Sequence, residues 1–244
     1  MRCYYDLHLH SCLSPCADGD MTPYNLVQMA ALNELDIIAL TDHNSCKNCP
    51  AAMEVAAQAG ITLLPGMELC TQEEIHMVCL FPALEAAMAF DRFIYPLIPD
   101  IPNQPEAFGS QQILNARDEL TAHEPKLLVT AANIGIGQVP DAVRQFGGVC
   151  FPAHIDRASY SILAALGDIP AEYGFTAVEI SARGDVAALQ RQYPLLRQVP
   201  LLLSSDAHYL EDIHPRRAWL ELPDRAPEAV LRALNGGCAG FGRG

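Results

Sequence analysis

The sequence predicts an α/β fold in which buried strands alternate with helices. Short apolar runs such as CYYDLHL (3–9) and DIIALTDHN (36–44) are separated by segments that carry helix-start and helix-stop residues. Continuous apolar runs of this length are typical of strands that are buried on both faces of a parallel sheet. With about seven such units along the chain, closure of the strands into a barrel is as consistent with the pattern as an open sheet.

The first third of the chain supplies the clearest strand–helix pairs. Thr22 suits the N-cap of the first helix, and Pro23 suits its first helical position. Gly60 follows the last periodic residue of the second helix, where glycine commonly ends a helix. The predicted elements are strands at 3–9, 36–44, 61–69 and 75–81 and helices at 22–36 and 50–60.

Regular alternation is lost between about 82 and 146. Segment 95–105 holds four prolines in eleven residues and cannot form a regular element. Segment 109–128 has a helical pattern, and 139–148 has that of a shorter helix. We therefore expect one domain over 1–244, with an insertion at 82–146. Beyond it, the predicted elements are strands at 149–155, 177–181, 200–208 and 219–222 and helices at 159–166, 185–192 and 226–235.

Composition narrows the class of partner. The chain has 244 residues, nine cysteines and a formal net charge of −14. An odd number of cysteines and the lack of a signal-peptide pattern favour reduced thiols and a cytoplasmic location. No apolar run approaches the ~18 residues of a membrane span, so no membrane partner is expected. Because a strongly acidic chain repels polyanions, we expect a small anionic substrate and no duplex nucleic acid. The oligomeric state is left open.

Ionisable residues collect at the C-terminal ends of the predicted strands, the edge where α/β folds place active sites. Residues two apart on a strand face the same way, so His8 and His10 converge, and Asp206 and His208 repeat that spacing. One such histidine alone is more often a hydrogen-bonded structural residue. So many together need a shared positive charge, because buried unpaired charges cost several kcal/mol each. The set is His8, His10, Asp42, His43, Glu68, His76, His154, Asp206 and His208.

These motifs resemble those of the PHP (polymerase and histidinol phosphatase) superfamily. They occur in the family's order, cover residues 4 to about 210, and imply a distorted (β/α)7 barrel. The resemblance also implies up to three divalent metal ions at the barrel mouth, and nitrogen and carboxylate ligands suit Zn²⁺, Mn²⁺ or Fe²⁺. The motifs are DLHLH (6–10), DGD (18–20), LTDHN (40–44), GMEL (66–69), IHMVCLF (75–81), FPAHID (151–156) and SSDAH (204–208).

Matching the motifs one by one implies a ligand set for each ion. Asp6 and Asp42 adjoin ligands and are expected to orient imidazoles by accepting their N–H groups, with a turn role as the alternative for Asp42. The implied ligands are His8, His10, Glu68 and Asp206 for the first ion, Glu68, His76 and His154 for the second, and Asp18, His43 and His208 for the third.

A cluster of this kind suits phosphoester hydrolysis. A hydroxide that bridges two ions is available near neutral pH, because metal binding lowers the pKa of water from ~15.7 toward ~7. Asp206, His208 and Arg157 are expected to be the catalytic side chains. Arg157, Arg183 and Lys47 are candidates for gripping the phosphate, and an ordinary solvated charge is the alternative for each.

The favoured function is therefore metal-dependent hydrolysis of a small phosphomonoester or nucleotide at a trinuclear site. The alternatives are an exonuclease that trims short oligonucleotides and a non-catalytic metal-binding regulatory module. A complete ligand set counts against the last.

The cysteines leave a second question open. Cys12 and Cys16 follow the first strand, and Cys46 and Cys49 follow the second, so the four could form a thiolate site for zinc or an iron–sulfur cluster. The alternative is that they are small buried hydrophobes, and we expect them to lie near the metals without binding them. Structural, packing or surface roles are expected for His123, His214, Cys3, Cys70, Cys79, Cys150 and Cys238.

Overall fold

Eleven strands and eight α-helices are present in the computed structural model, which describes residues 1–236 and 240–243. The predicted α/β class is confirmed. The strands are β1 (Arg2–Leu9), β2 (Ile37–Leu40), β3 (Thr62–Cys70), β4 (His76–Leu80), β5 (Gln112–Leu114), β6 (Leu120–His123), β7 (Val149–Pro152), β8 (Val178–Ile180), β9 (Leu201–Leu203), β10 (Ala218–Glu221) and β11 (Gly240–Arg243). The helices are α1 (Pro23–Leu32), α2 (Cys49–Ala59), α3 (Leu84–Ile94), α4 (Pro105–Phe108), α5 (Val139–Gln145), α6 (Ile162–Leu166), α7 (Val186–Gln192) and α8 (Pro227–Leu234).

The main sheet is mixed rather than parallel. Its seven strands have the order β11-β10-β1-β2-β3-β4-β7. β1, β2 and β3 run parallel, whereas β4 is antiparallel to β3, and β7 is antiparallel to β4. The expectation of parallel strands with helical crossovers is therefore wrong between β3 and β4. There the chain reverses in a tight turn, in which Thr71 N donates to Ile75 O at 2.9 Å, and no helix fits between the two strands.

A separate pair of strands, β8 and β9, connects β7 to β1. β8 and β9 are parallel. After β7, Ile155 N donates to Glu179 O at 2.9 Å, and after β1, His10 N donates to Ala207 O at 3.1 Å. These bonds draw β1–β4 and β7–β9 around one interior, which fully buried side chains such as Leu9, Leu64 and Phe151 fill. The strand ends that carry the ionisable residues consequently face one mouth.

The helix signals in the sequence act as expected. The Thr22 hydroxyl oxygen accepts the Asn25 N–H at the start of α1, and Pro23 occupies the first helical turn. Gly60 ends α2 with a left-handed φ of 71°. Among the described residues, none of the helices is both long and apolar enough to cross a bilayer.

The helix expected at 109–128 is wrong, because this segment forms the antiparallel hairpin of β5 and β6. The Asn115 side-chain oxygen accepts the N–H groups of Arg117 and Glu119, and Asp118 adopts a left-handed φ of 58°. Asparagine and aspartate favour such turns because their short side chains bond to the local backbone. The local turn chemistry overrides the apolar spacing that indicated a helix.

Candidate metal centre

The strand ends bring eight of the nine implied ligands together at one mouth. His154 and Asp206 have left-handed backbone conformations, with φ of 26° and 53°. Such strain in residues other than glycine persists where the surrounding structure imposes it and is concentrated at functional sites. The eight residues are His8 and His10 from the end of β1, His43 after β2, Glu68 on β3, His76 on β4, His154 after β7, and Asp206 and His208 after β9.

The buried carboxylate of Glu68 is the hub of this cluster. Imidazoles from five different positions surround it, an arrangement that concentrates charge in the interior. Its Oε1 atom lies 2.8 Å from His76 Nδ1, 3.1 Å from His154 Nε2 and 3.2 Å from His8 Nε2, and its Oε2 atom lies 2.9 Å from His43 Nδ1 and 3.3 Å from His10 Nε2.

Three sets of donor atoms, each within 4.8 Å of one another, could hold metal ions. The first is the ligand set implied for the first ion. In each of the other two sets, one implied ligand is replaced. His43 takes the place of His154 beside Glu68 and His76, and His10 takes the place of Asp18 beside His43 and His208. The sets are His8, His10, Glu68 and Asp206; His43, Glu68 and His76; and His10, His43 and His208.

Asp18 and His154 are the implied ligands outside these sets, although His154 Nε2 lies 3.1 Å from Glu68 Oε1. Asp18 is the one that lies away from the cluster. Its side chain is exposed, and its Oδ1 atom accepts the backbone N–H of Asp20 at 2.8 Å. Its backbone N–H nevertheless donates to His208 O at 2.9 Å, which places the loop at the edge of the mouth.

The cluster fits divalent metal ions. Within the described part of the chain, four of its buried atoms make no hydrogen bond of adequate geometry, although two of them, His43 Nδ1 and Glu68 Oε2, lie only 2.9 Å apart. The four atoms are His43 Nδ1, Glu68 Oε2, His154 Nδ1 and Asp206 Oδ1. Buried polar atoms without partners are rare in proteins and are costly. Imidazole nitrogens and carboxylate oxygens are suitable ligands for Zn²⁺, Mn²⁺ and Fe²⁺, so ions at this position would satisfy atoms that the protein leaves unpaired.

The imidazoles of the metal-free cluster differ in charge. Burial lowers the pKa of His10 and of His43, but the surrounding carboxylates outweigh it and raise each pKa to about 9. Burial lowers the pKa of His76 to about 4 and the pKa of His208 to about 3. Two imidazoles are therefore ready for ligation at neutral pH, whereas two others must release a proton first.

A carboxylate that the sequence reasoning missed holds His8 in place. Glu179, buried on β8, lies 3.0 and 3.2 Å from His8 Nδ1 through its two oxygens. It also accepts the backbone N–H of His154 at 3.1 Å. A carboxylate on the far ring nitrogen orients a ligating imidazole. The available signal was the glutamate inside the apolar run AVEIS, since a buried charge needs a partner.

The two aspartates expected to orient imidazoles act through other groups. Ser14 Oγ lies 2.9 Å from His10 Nδ1 and donates to Asp42 Oδ1 at 2.7 Å, so Asp42 supports His10 through a hydroxyl. Asp6 accepts the backbone N–H of Ser205 at 3.1 Å. Burial raises the pKa of Asp6 to about 7.

The cysteines are absent from the donor sets found among the described residues. Cys46 Sγ and Cys49 Sγ are buried and lie 3.1 and 3.7 Å from Gly66 O. Cys12 is buried as well, so the structure offers no support for a separate thiolate site. Cys16 is exposed at the mouth, with Sγ 3.2 Å from His43 Nε2. Cys238 lies outside the described residues.

One cavity beside the metal centre is lined by arginines. This arginine cleft has a volume of about 580 Å³ and includes Arg157, Arg183, Arg217 and His214. Arg157 Nη1 lies 2.6 Å from Asp206 Oδ2. Among the described residues, no carboxylate pairs with Arg183 or Arg217, so both keep their charge available for an anion. Sequence reasoning missed Arg217, and His214, expected to be a structural or surface residue, lines this cleft.

A second cavity lies on the other side of Arg157 and Asp206, which line both. This apolar slot has a volume of about 420 Å³, and Phe108 and Tyr160 contribute its aromatic surface. Metal-centre residues line it as well. Its complete lining is Pro15, Cys16, His43, Glu68, His76, Ala107, Phe108, Val129, Arg157, Tyr160, Asp206 and His208.

The structure brings Lys47 into neither cavity. Its ammonium group pairs with the buried carboxylate of Glu124 and lies 4.1 Å above the Tyr95 ring. A carboxylate as buried as Glu124 needs a cationic partner, and this need accounts for the position of Lys47. His123 is exposed on β6, with Nδ1 2.8 Å from Ser110 O.

Comparison with known proteins agrees with this geometry. The profile of the PHP domain matches residues 6–182. A 5′-3′ exoribonuclease of Salmonella typhimurium is 40% identical over 81 residues, which are 31% of this chain and 27% of that protein. A 3′,5′-nucleoside bisphosphate phosphatase of Chromobacterium violaceum is 35% identical over 91 residues, which are 34% of this chain and 31% of that protein. The chain thus spans less than a third of the length of these curated relatives.

The fold is also similar to that of endonuclease Q. The Pyrococcus furiosus enzyme, described as a lesion-specific endonuclease, superimposes with a TM-score of 0.72 at 19% identity, over 99% of this chain and 58% of that one. A second endonuclease Q structure, in complex with a 27-mer duplex that has an abasic lesion at the active site, has a TM-score of 0.65 at 18% identity, over 98% and 58% of the two chains.

The expectation of no duplex nucleic acid is therefore wrong as a deduction from net charge. A protein with this fold binds duplex DNA at its active site, and the relatives include exoribonucleases. The net charge of −14 sums over the whole surface, whereas a ligand responds to the local field at the mouth. In the arginine cleft, Arg157, Arg183 and Arg217 stand beside the carboxylates of Glu179, Asp206 and Asp212, but among the described residues only Arg157 is in an ion pair with one of them.

Proposed function

The chain belongs to the PHP domain family, and we propose that it is a metal-dependent phosphoesterase that acts on nucleotide units, either free or at the end of a nucleic-acid strand. The prediction of an enzyme is confirmed at the level of the family, since its relatives are named as a phosphatase and exoribonucleases. The observation that carries the proposal is the Glu68 carboxylate amid five imidazoles, with unpartnered buried atoms beside it.

The metal ligands proposed are the eight residues at the mouth, for up to three ions of Zn, Mn or Fe. Asp18 stays a prediction from the family pattern, because its carboxylate is turned toward Asp20. Divalent ions in such a cluster polarise phosphoryl oxygens and make an activated water available near neutral pH.

Three further roles are proposed for side chains in and around the centre: phosphate binding, orientation of the imidazoles and catalysis. Arg157 is 47% exposed on its side chain while it contacts Asp206, so its guanidinium can grip a phosphate through parallel N–H bonds without leaving the centre. Glu179 fixes the orientation of His8, and Ser14 fixes that of His10. Asp206 and His208, between the two cavities, are the proposed catalytic side chains together with Arg157.

The arginine cleft favours substrates that carry a second phosphate. Arg183 and Arg217 line it without carboxylate partners among the described residues, in a chain that is strongly acidic overall. A nucleoside bisphosphate and a nucleic-acid strand both place another phosphate one nucleotide from the scissile one. Removal of nucleotides from a strand end is therefore the second candidate function, and exoribonucleases among the relatives support it.

The domain organisation proposed is a single barrel-like domain over 1–244, with 82–146 inserted over the mouth. The ring of β1–β4 and β7–β9 supports a distorted seven-stranded barrel. The insertion contributes Ala107, Phe108 and Val129 to the apolar slot.

A hydrolysis screen tests the proposal. Protein loaded with Mn²⁺, Zn²⁺ or Fe²⁺ is incubated with p-nitrophenyl phosphate, mononucleotides, 3′,5′-bisphosphates, and 5′-phosphorylated RNA and DNA, single-stranded and duplex. We expect phosphate or mononucleotide release that chelation abolishes. Absence of turnover for every ester by protein with measured metal content would refute the proposal. Product length separates a phosphatase from an exonuclease.

A further inference from the structure

The apolar slot is unusual because it combines exposed aromatic rings with a highly charged centre. Phe108 is 37% exposed and Tyr160 is 46% exposed, and both line the slot beside His76 and His43. Ala107 and Val129 extend the apolar surface. A volume of about 420 Å³ falls within the roughly 300–1,000 Å³ of small-molecule pockets.

Tyr160 is held at this position by its backbone and by its ring. Its ring stacks on His76, with centroids 4.7 Å apart and an interplanar angle of 29°. Its carbonyl oxygen accepts the N–H of His76 at 3.1 Å, and its φ is 54°, a left-handed value that costs free energy for tyrosine. One ring face is thus fixed against a candidate ligand, while the exposed fraction leaves the other face open to the slot.

Phe108 is fixed by the insertion. It ends α4, where its N–H donates to Gln104 O at 2.9 Å, and Asn103 Nδ2 holds the following residue by donating to Gly109 O at 2.8 Å. Gly109 has a φ of 75°, and a Cβ atom there would lie 3.3 Å from Pro15 O. Glycine therefore lets the insertion pass close to Pro15, which also lines the slot.

We propose that the apolar slot is a nucleobase subsite, in which Phe108 and Tyr160 stack on the base of the nucleotide whose phosphate lies at the metal centre. The slot is continuous with that centre, because His43, Glu68 and His76 line it. Every base has a flat π-face that stacks on aromatic side chains irrespective of sequence. The slot selects nucleotides over other phosphate esters, and this inference rests on the proposed function.

Binding of 2-aminopurine riboside 5′-monophosphate to the metal-loaded protein tests the subsite, because stacking quenches the fluorescence of this base. We expect quenching by the wild type. Phe108→Ala and Tyr160→Ala should each weaken binding about tenfold, the range that loss of one stacking partner produces. Tyr160→Phe keeps the ring and should bind like the wild type.

Two controls isolate the base. Ribose 5-phosphate has the same sugar and phosphate without a base, and its competition against inorganic phosphate should be unchanged in both alanine variants. Tyr24→Ala removes an aromatic ring that is also 46% exposed but lies on α1 outside the slot, and it should leave quenching unchanged. Metal content measured for each variant distinguishes loss of stacking from loss of His76 ligation.

The outcomes separate this inference from the proposed function. Absence of quenching by the wild type, or undiminished quenching by both alanine variants, would overturn the nucleobase subsite even if esters are hydrolysed. Quenching that both variants lose, in a protein that hydrolyses no ester, would support the subsite and refute the phosphoesterase.

Discussion

The two cavities at the mouth share a boundary but differ in chemistry. The arginine cleft is lined by Arg157, Arg183 and Arg217 and by no phenylalanine, tyrosine or tryptophan, whereas the apolar slot has Phe108 and Tyr160 and only one arginine. A ligand with a charged end and a flat apolar end consequently has one favourable orientation across the metal centre. Because the two cavities differ in this way before any ligand binds, a bound nucleotide would already be oriented when the reaction begins.

The two cavities also come from different parts of the chain. Arg183 follows β8, and Arg217 directly precedes β10. Phe108 ends α4, within segment 82–146. The arginines of the cleft therefore come from the second half of the chain, while the slot depends on Phe108 from segment 82–146, so the two cavities can be disrupted independently.

Removing Glu68, the hub of the metal centre, should have the largest effect. Glu68→Gln leaves five imidazoles without their shared carboxylate, and the loss of metals should lower kcat/KM by about 10³-fold or more for every substrate. Elemental analysis together with the hydrolysis assay checks this. Glu54→Gln, an exposed position on α2, is the control. A Glu68→Gln protein with full metal content and activity would contradict the assigned centre.

Disrupting the cleft alone should change selectivity. Arg217→Ala removes a guanidinium that lies beside His214 and donates to Ala182 O at 3.1 Å. KM for a 3′,5′-bisphosphate should rise about 10–100-fold, the range for a lost charged hydrogen bond, with little change for a monophosphate. Arg216→Ala is the matched control, because Arg216 pairs with Glu34 and lines neither cavity. An equal loss for both substrates would count against a second-phosphate role.

The pH dependence of the free energy of unfolding of the metal-free protein should reveal which histidines of the metal centre are charged. The pKa of His10 and of His43 is raised from 6.5 to about 9 in the folded state. The contribution of these two histidines to the free energy of unfolding is therefore complete below pH 6.5 and is lost as the pH rises to about 9. The pKa of His76 is lowered to about 4, so its contribution is complete above 6.5 and is lost as pH falls to about 4.

Metal-free stability should therefore be greatest near pH 6.5, and metal loading should shift the maximum upward, because ligation requires neutral imidazoles. Urea unfolding across pH, with and without chelator, measures both curves. Metal-free protein that gains stability steadily up to pH 9 would contradict this assignment of charge.

Loosening the contact between segment 82–146 and α1 should give the smallest effect. The Asp118 carboxylate accepts the Thr22 hydroxyl at 2.6 Å and the Tyr24 N–H at 3.3 Å, which ties the β5–β6 hairpin to the start of α1. Asp118→Ala should lower the free energy of unfolding by about 1 kcal/mol. Chemical denaturation measures it, with Glu119→Ala on the same turn as the control. Unchanged stability would mean that the hairpin contact contributes nothing to folding.

Much of the centre could be predicted because its signals are local. The spacing of His8 and His10 follows from the two-residue period of one strand, and the caps Thr22 and Gly60 act on their own helices. The helix expected at 109–128 failed because turn-forming side chains competed with an apolar pattern that fits either structure.

The sequence by itself indicated the residues proposed as metal donors, since they stand at or near the ends of apolar runs. The tertiary structure decided their partners. Glu179 meets His8 across 171 positions, and the assembly of Arg217 into the cleft and of Phe108 into the slot likewise joins distant segments. These contacts exist only because β8, β9 and segment 82–146 pack beside β1–β4 and β7. No local period encodes such packing, because it depends on the summed burial of the whole chain.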